Sequence, residues 1–180
     1  LWCSFAEYAR KGNLIKWNPA VKTAADRDAL RAGLLDGSVD VVATDHAPHT
    51  LEEKERPYAN APSGGPLVQH SLPMMLELSA QGVLPVETVV EKMCHAPARL
   101  FGVRDRGFLR TGHFADIVLV RPADPWTVSK ENILYKCGWS PLEGTAFSHR
   151  VVRTLVNGRT VYADGRVDTA HRGAELEFDR

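Results

Sequence analysis

The sequence has few cysteines and no long hydrophobic run. Its three cysteines are far apart among 180 residues and form no C-x-x-C pair, so neither a disulfide framework nor a cysteine-ligated zinc is expected. No apolar stretch reaches the roughly 18 residues of a membrane span, and no basic and apolar signal peptide opens the chain. These absences favour a reduced, cytoplasmic setting and no membrane partner.

Net charge is also absent. The 22 Lys and Arg residues balance the 22 Asp and Glu residues, which gives no reason to expect nucleic acid or another strongly charged partner. With 44% hydrophobic and 24% charged residues, the composition is that of an ordinary globular protein with one core, or one core and a small module.

Several catalytic signatures are missing as well. The sequence contains no P-loop, no G-x-G-x-x-G, no G-x-S-x-G and no H-x-H pair, so phosphate-cradling loops and a nucleophile elbow are not expected. The first residue is Leu1 rather than methionine. We therefore expect the N-terminal portion of a longer protein to be missing.

The most informative stretch is the mostly β-branched run Val39–Thr44, which predicts a short buried strand of a parallel sheet. Asp45, His46 and His49 follow it, at the strand end where α/β proteins keep their chemistry. A carboxylate and an imidazole can ligate zinc or transfer protons. Equally, Asp45 can be a capping residue and His49 a surface side chain. One Asp and one nearby His do not complete a zinc site of three or four ligands.

The flanking segments predict a strand–helix–strand unit. Leu14–Trp17 is a brief apolar segment that indicates a strand, and Thr23–Leu35 has the apolar spacing of a helix. A strand at Val39–Thr44 would complete a βαβ unit with parallel strands. Asn18 would then lie on the same rim as Asp45, although a simple turn-forming role is the commoner reading of Asn before Pro.

Residues 46–66 are predicted to be a long loop, which is commonly functional at this length. Ser63 and Gly64 lie in it and offer backbone N–H groups to a ligand, with a plain flexible loop as the equal alternative. Glu52–Lys54 has the character of a solvated charge run. The histidines outside residues 46–49 have no partner at metal-ligand spacing and are interpreted as structural or surface residues.

Helices are predicted over Leu67–Ala80, from Pro85, and from Pro97 to Gly102. After residue 102 the pattern becomes β-rich, and Asn157-Gly158 is a strong hairpin-turn signal. We place a module boundary near residue 102.

Four motifs then indicate a family. Ala43–His49 reads ATDHAPH and is followed by Lys54 after four intervening residues; it resembles the second signature of dihydroorotases in the amidohydrolase superfamily. Lys16–Lys22 resembles the family segment K-x-N-P-x-[VL]-[KR], and Lys136–Gly144 contains a stretch similar to W-[ST]-P-[FL]-E-G. Gly112–Val118 resembles the turn into the β module of many amidohydrolases. The resemblance covers essentially the whole chain in order.

The resemblance implies an α/β fold, a (β/α)8 TIM barrel with a small β-sandwich. Residues 1–102 would be the C-terminal part of the barrel, and residues 103–180 the C-terminal β-rich part of the sandwich module. It further implies Zn²⁺, one or two ions per site, with most ligands upstream of this chain. The isolated fragment is therefore expected to be inactive.

The resemblance also implies roles for individual residues. Asp45 would ligate zinc and act as general acid and base, taking a proton from the attacking water and giving it to the leaving nitrogen. Asn18, His49 and the backbone at Ser63 and Gly64 would bind the substrate. Lys54 would be structural.

The implied activity is the reversible, zinc-dependent hydrolysis of L-dihydroorotate to N-carbamoyl-L-aspartate, in pyrimidine biosynthesis. The implied partners are this small molecule and either a second copy of the chain or a transcarbamoylase. Two alternatives stay open: a hydantoinase or allantoinase acting on another cyclic amide, and a dihydroorotase-like scaffold subunit without catalysis.

Overall fold

The computed structural model describes residues 1–179, which combine short helices with one antiparallel sheet. The α-helices are α1 (Tyr8–Lys11), α2 (Ala24–Asp36), α3 (Leu51–Lys54), α4 (Ser71–Ala80), α5 (Val86–Val90) and α6 (Ala96–Phe101). Four 3₁₀ helices occupy Phe5–Glu7, Gly12–Ile15, Val68–His70 and Lys130–Asn132, and a π-helical turn occupies Glu91–His95. The strands are β1 (Ile117–Thr127), β2 (Ala146–Val156), β3 (Arg159–Ala163) and β4 (Arg166–Val167). Across these residues we find no helix with the length and apolarity needed to span a bilayer.

The sheet has the order β1-β2-β3-β4, and every neighbouring pair is antiparallel. The predicted hairpin is confirmed: Val156 pairs with Arg159 across a turn at Asn157 and Gly158. Both turn residues have positive φ, 51° and 78°, the conformation of the tight turn that matches strand twist. The β-rich character predicted after residue 102 is therefore present.

Helix α2 is confirmed and its ends have clear causes. The Thr23 hydroxyl accepts a hydrogen bond from the Asp26 amide, and the Asp26 carboxylate accepts one from the Thr23 amide at 3.0 Å. This capping box satisfies two amides at the helix start. Gly37 ends the helix with φ 87°, a left-handed conformation that glycine adopts without steric strain.

The N-cap gives a direct test of this local structure. Thr23→Ala removes the hydroxyl acceptor, so the free energy of unfolding should fall by about 1 kcal/mol. Thr23→Ser retains the hydroxyl and should remain within a few tenths of a kcal/mol of the unmodified protein. Urea unfolding of both variants measures the difference, and equal losses in the two would contradict a capping role.

The prediction of two strands before residue 66 is wrong. Leu14 and Ile15 belong to a 3₁₀ helix, and Val39–Thr44 forms no strand. A β-branched run becomes a strand only where a neighbour accepts its backbone hydrogen bonds. Here the Val39 amide bonds instead to the carbonyl of Gly33, and the Val42 amide to that of Lys92. The predicted βαβ unit is therefore absent from residues 1–179, where parallel pairing is limited to an isolated bridge between His46 and Gly65.

The predicted helices after residue 66 are present with shifted starts. Leu67–Ala80 begins as the 3₁₀ turn Val68–His70 and becomes α4 at Ser71, which places Pro73 in a first turn where no N–H is needed. The helices predicted from Pro85 and Pro97 form one helical run, with the π turn just before Pro97. The loop 46–66 is not structureless, since it contains helix α3.

Two hydrophobic clusters form the core. The larger joins α2, α4 and α5 through Leu34, Met75, Leu76, Leu78, Leu84 and Val89; the smaller consists of Val128, Leu142 and Phe147. Trp2 and Met74 pack against both clusters. A polar tie joins α4 to β2, because the Glu77 carboxylate accepts hydrogen bonds from both the amide and the hydroxyl of Ser148. The helices and the sheet are thus packed together next to the cavity described below.

Candidate active site

Asp45 and Asn18 lie on the same cavity. It has a volume of about 790 Å³, and its lining is largely apolar. Both side chains are exposed to it, and Trp17 and Val42 form part of its wall. A concave apolar surface with a few polar groups is the usual form of a small-molecule site.

The backbone at Asp45 is unusual. Its φ is 46°, a left-handed conformation that Asp and Asn adopt far more readily than most other residues. Just after it, the His46–Gly65 bridge and a 3.3 Å hydrogen bond from the Ala47 amide to the Gly65 carbonyl hold the chain. The Asp45 carboxylate therefore lies at a change of backbone direction, and hydrogen bonds to Gly65 fix the residues that follow it.

His49, Ser63 and Gly64 form a second group, which does not line the cavity. The His49 Nε2 lies 3.1 Å from the Ser63 carbonyl oxygen. This oxygen can only accept, so the protonated Nε2 is the donor. The carbonyl of His49 accepts a 2.8 Å hydrogen bond from the Trp139 indole. His49 is thus held through its ring by Ser63 and through its backbone carbonyl by Trp139.

Gly64 lies in a space that only glycine fits. A Cβ at this position would lie 2.7 Å from the Ala47 carbonyl oxygen and 3.2 Å from His49 Nε2, and φ is 128°. Its amide donates to the Lys16 carbonyl at 2.9 Å. The backbone at Ser63 and Gly64 is therefore packed closely against the segment that follows Asp45.

His46 has a structural role that the sequence did not reveal. Its Nδ1 accepts hydrogen bonds from the amides of Leu67 (3.1 Å) and Val68 (3.4 Å), where a 3₁₀ helix begins. Its ring packs against that of Tyr135 at 5.4 Å. Since no side-chain oxygen caps this helix start, an imidazole bonded in this way was not foreseeable from spacing.

Lys54 corrects the prediction of a solvated charge run over Glu52–Lys54. Only 1% of Lys54 is exposed. Its ammonium donates to the carbonyls of Lys16, Pro62 and Gly64. Burial, with a smaller contribution from the Lys16 ammonium, lowers the pKa of Lys54 to about 8. The lysine fills the centre of the 46–66 loop.

A second buried polar group was also missed. His70 is fully buried, and its Nδ1 faces the hydroxyls of Tyr135 at 3.2 Å and Ser140 at 3.4 Å. Burial lowers the pKa of His70 to about 4. The prediction that this histidine is structural agrees with its position, and the hydroxyl partners lie too far along the chain for sequence spacing to identify them.

The described residues do not fit a complete metal site. No group of three or more His, Cys, Asp or Glu side chains in residues 1–179 is arranged to hold a metal ion. Cys3, Asp26 and His70 also line the cavity beside Asp45. The Asp26 carboxylate is engaged in the N-cap of α2, and the His70 Nδ1 faces two hydroxyls. Outside the cavity lining, His46 and His49 have ring nitrogens engaged by amides and by a carbonyl. All three cysteines are free thiols, and burial raises the pKa of Cys3 to about 11.

Comparison with known proteins identifies the class. Residues 7–161 match the amidohydrolase family. The fold is also that of an L-hydantoinase (dihydropyrimidinase) from Arthrobacter aurescens, with a TM-score of 0.86 and 31% identity over 93% of this chain and 38% of that one. A dihydropyrimidinase from Brevibacillus agri has the same fold, with a TM-score of 0.83 and 23% identity over 93% of this chain and 38% of that one. The chain belongs to the amidohydrolase family.

Sequence relatives narrow the comparison. The chain is 42% identical over 147 residues to a protein named dihydroorotase from Pelobacter propionicus, covering 82% of this chain and 34% of the relative. It is 39% identical over 165 residues to one of the same name from Halobacterium salinarum, covering 92% of this chain and 39% of the relative. The chain therefore spans little more than a third of the length of these curated relatives.

Proposed function

We propose that this chain is the part of a dihydroorotase that contributes Asp45 and the 46–66 loop to the active site. The reaction is the reversible hydrolysis of the cyclic amide of L-dihydroorotate to N-carbamoyl-L-aspartate, a step of pyrimidine biosynthesis. The observation that carries the proposal is the 42% identity to a protein named dihydroorotase over 82% of the chain. The cavity with Asp45 and Asn18 on its wall supports it.

The proposed architecture follows the family. Residues 1–102 would be the C-terminal part of a (β/α)8 barrel, and residues 103–180 part of a β-rich composite sandwich. The absence of strands at Leu14–Trp17 and Val39–Thr44 is compatible with this, because a barrel strand needs a neighbour on each side. Within residues 1–179 each of these segments has only the other as a possible neighbour, so the strand on its other side would come from another part of the intact protein.

In the proposed chemistry, Asp45 transfers the proton. Its exposed carboxylate would accept a proton from the attacking water and deliver it to the leaving ring nitrogen. Asn18, on the same cavity, would hydrogen bond to the ring. The backbone at Ser63 and Gly64 would close over the substrate.

His49 would bind the carboxylate of the substrate. The protonated Nε2 of its imidazole donates to the Ser63 carbonyl in this structure, and it would exchange that neutral acceptor for the anionic one. Hydrogen bonds to a charged acceptor are roughly twice as strong as neutral ones, which makes the exchange favourable.

Zn²⁺ is the proposed cofactor, and when bound it would activate water and polarise the scissile carbonyl. Asp45 is the one ligand that we assign to this chain. Since no other His, Cys, Asp or Glu of residues 1–179 joins it in a group of three, the remaining ligands would come from other parts of the intact protein. A cytoplasmic location and assembly with a second copy or a transcarbamoylase complete the proposal.

A hydantoinase is the second candidate, favoured by the 0.86 TM-score and 31% identity to an L-hydantoinase. The test is a panel of dihydroorotate, a 5-substituted hydantoin, allantoin and dihydrouracil, assayed with the intact protein loaded with Zn²⁺. We expect kcat/KM for dihydroorotate to exceed the others by about 100-fold or more, since a site built for a carboxylate rejects rings that lack it. A preference for hydantoin would establish the second candidate. Turnover of none of the four would favour the non-catalytic scaffold.

A further inference from the structure

The ammonium of Lys54 lies inside a cage of backbone oxygens. It is 2.8 Å from the Gly64 carbonyl, 2.9 Å from that of Pro62 and 3.2 Å from that of Lys16. A lysine ammonium has three donors, so the cage matches it fully. Trp139 closes one side, with its ring centroid 6.0 Å from the ammonium. The geometry is specific to a lysine, because neither a planar guanidinium nor a neutral amide can reach three oxygens in this arrangement.

A second lysine extends the same arrangement. The Lys16 ammonium donates to the carbonyls of Tyr58 (2.5 Å) and Ala61 (2.6 Å). The backbone carbonyl of Lys16 accepts hydrogen bonds from both the Lys54 ammonium and the Gly64 amide. The two side chains therefore hold the loop from residue 58 to residue 64 against the segment that leads to Asn18.

The other end of the loop is anchored as well. The Asn13 side-chain amide donates to the carbonyls of Lys54 (3.0 Å) and Arg56 (2.7 Å). The carboxylate of Glu53 accepts from the Thr50 amide at 2.8 Å and caps helix α3. Helix α3 is thereby fixed in place, so that Lys54 projects into the cage from a rigid base.

We propose that Lys54 is a positioning residue for substrate binding: its ammonium latches the Pro62–Gly64 backbone beside His49 and so orders the site for the substrate's carboxylate. This rests on the proposed function. The charge itself contributes, since within residues 1–179 the Lys54 ammonium forms no ion pair and its positive potential favours an anionic ligand nearby.

The alternative is a lysine that only stabilises the fold. Lys11 provides the matched control, since it is also buried (8% exposed) and also donates to a backbone carbonyl, that of Pro141. It makes no contact with the carbonyls of the 46–66 loop. Lys11→Met and Lys54→Met therefore both remove a buried ammonium. Lys11→Met also removes the ion pair with Glu7 at 4.0 Å, and only Lys54→Met releases the latch.

The experiment uses the intact protein with Zn²⁺. For Lys54→Met we expect KM for dihydroorotate to rise about tenfold or more with kcat changed by less than about threefold, because ordering of the binding loop is lost before chemistry begins. The inhibition constant of dihydrouracil, which lacks the carboxylate, should rise by less than about threefold, because it loses the backbone contact of Ser63 and Gly64 but no contact to a carboxylate. Lys11→Met should leave KM within about twofold. Lys54→Arg keeps the charge but not the geometry, so its KM for dihydroorotate should lie between those of the unmodified protein and Lys54→Met.

Amide hydrogen exchange gives a readout that needs no activity. The Gly64 amide, bonded to the Lys16 carbonyl at 2.9 Å, should exchange about tenfold faster in Lys54→Met, because opening of this loop then requires less free energy. Unchanged exchange would overturn the latch, and faster exchange with an unchanged KM would overturn the positioning role. If Lys54→Met fails to fold, Lys54→Arg carries the same comparisons. If the unmodified protein does not turn over dihydroorotate, the proposed function fails, while exchange at Gly64 still decides the latch.

Discussion

Asp45→Asn is expected to reduce kcat for dihydroorotate by about 10²- to 10⁴-fold, the range by which positioned acid–base groups accelerate proton transfer. The amide of Asn has nearly the shape of the carboxylate but cannot accept the proton of the attacking water. KM should change less than kcat, because the lost interaction is made in the transition state. Steady-state assays of the intact protein at matched Zn²⁺ content measure both constants.

Asn is the correct replacement for a structural reason. Asp45 has φ 46°, and Asn tolerates this left-handed conformation as Asp does, whereas Ala would add backbone strain. Asp40→Asn is the matched control. Asp40 is exposed, lies five residues earlier and does not line the cavity. It should retain full activity. Near-normal kcat in Asp45→Asn would remove Asp45 from the proposed mechanism.

Local features of the fold were predictable because their causes are local. The Asn157-Gly158 hairpin and the ends of α2 at Thr23 and Gly37 depend on the conformational preferences of a few adjacent residues. Strands are different, because a strand exists only with its neighbour. Val39–Thr44 has the composition of a buried strand, yet its amides bond to Gly33 and Lys92. No pattern within the run could reveal this.

The residues of the candidate site likewise divide into those that a local motif predicts and those that depend on tertiary contacts. Asp45 and His49 were proposed as site residues from a contiguous motif, which has family-level specificity that spacing alone lacks. The burial of Lys54 was not predictable, since Glu-Glu-Lys has the composition of a solvated helix and the three carbonyls that surround the ammonium come from residues 38, 8 and 10 positions away. Tertiary contacts of this kind override local polarity.

The buried imidazole of His70 predicts how stability depends on pH. Tyr135 and Ser140 present hydroxyl groups to Nδ1, and the Gln69 amide already donates to the Tyr135 oxygen. The Tyr135 proton is therefore free to point at Nδ1, which favours the neutral ring protonated at Nε2. Nε2 is itself buried without a partner in the described part of the chain. Adding a second proton would bury a charge that no neighbouring group compensates.

The sign of the effect follows from the two pKa values. Unfolded His70 has a pKa near 6.5, while in the folded protein burial lowers it to about 4. Between these values the unfolded chain binds more protons, so the free energy of unfolding is fully retained above pH 6.5 and falls as the pH drops towards 4. A shift of this size corresponds to a loss on the order of 3 kcal/mol across the window.

His70→Phe isolates this contribution. The apolar ring keeps most of the packing against Trp126 and Phe147 and does not titrate. The variant should be less stable than the unmodified protein at pH 7, since the hydroxyls of Tyr135 and Ser140 lose an acceptor. The difference in the free energy of unfolding between the two proteins should then shrink as the pH falls from 6.5 to 4, because the unmodified protein alone loses the contribution of His70. The other six histidines titrate in both proteins and cancel. Urea unfolding at half-unit steps of pH measures this difference. A constant difference would mean that His70 is protonated as readily in the folded protein as in the unfolded chain, and that its surroundings are not the apolar, hydroxyl-lined enclosure described here.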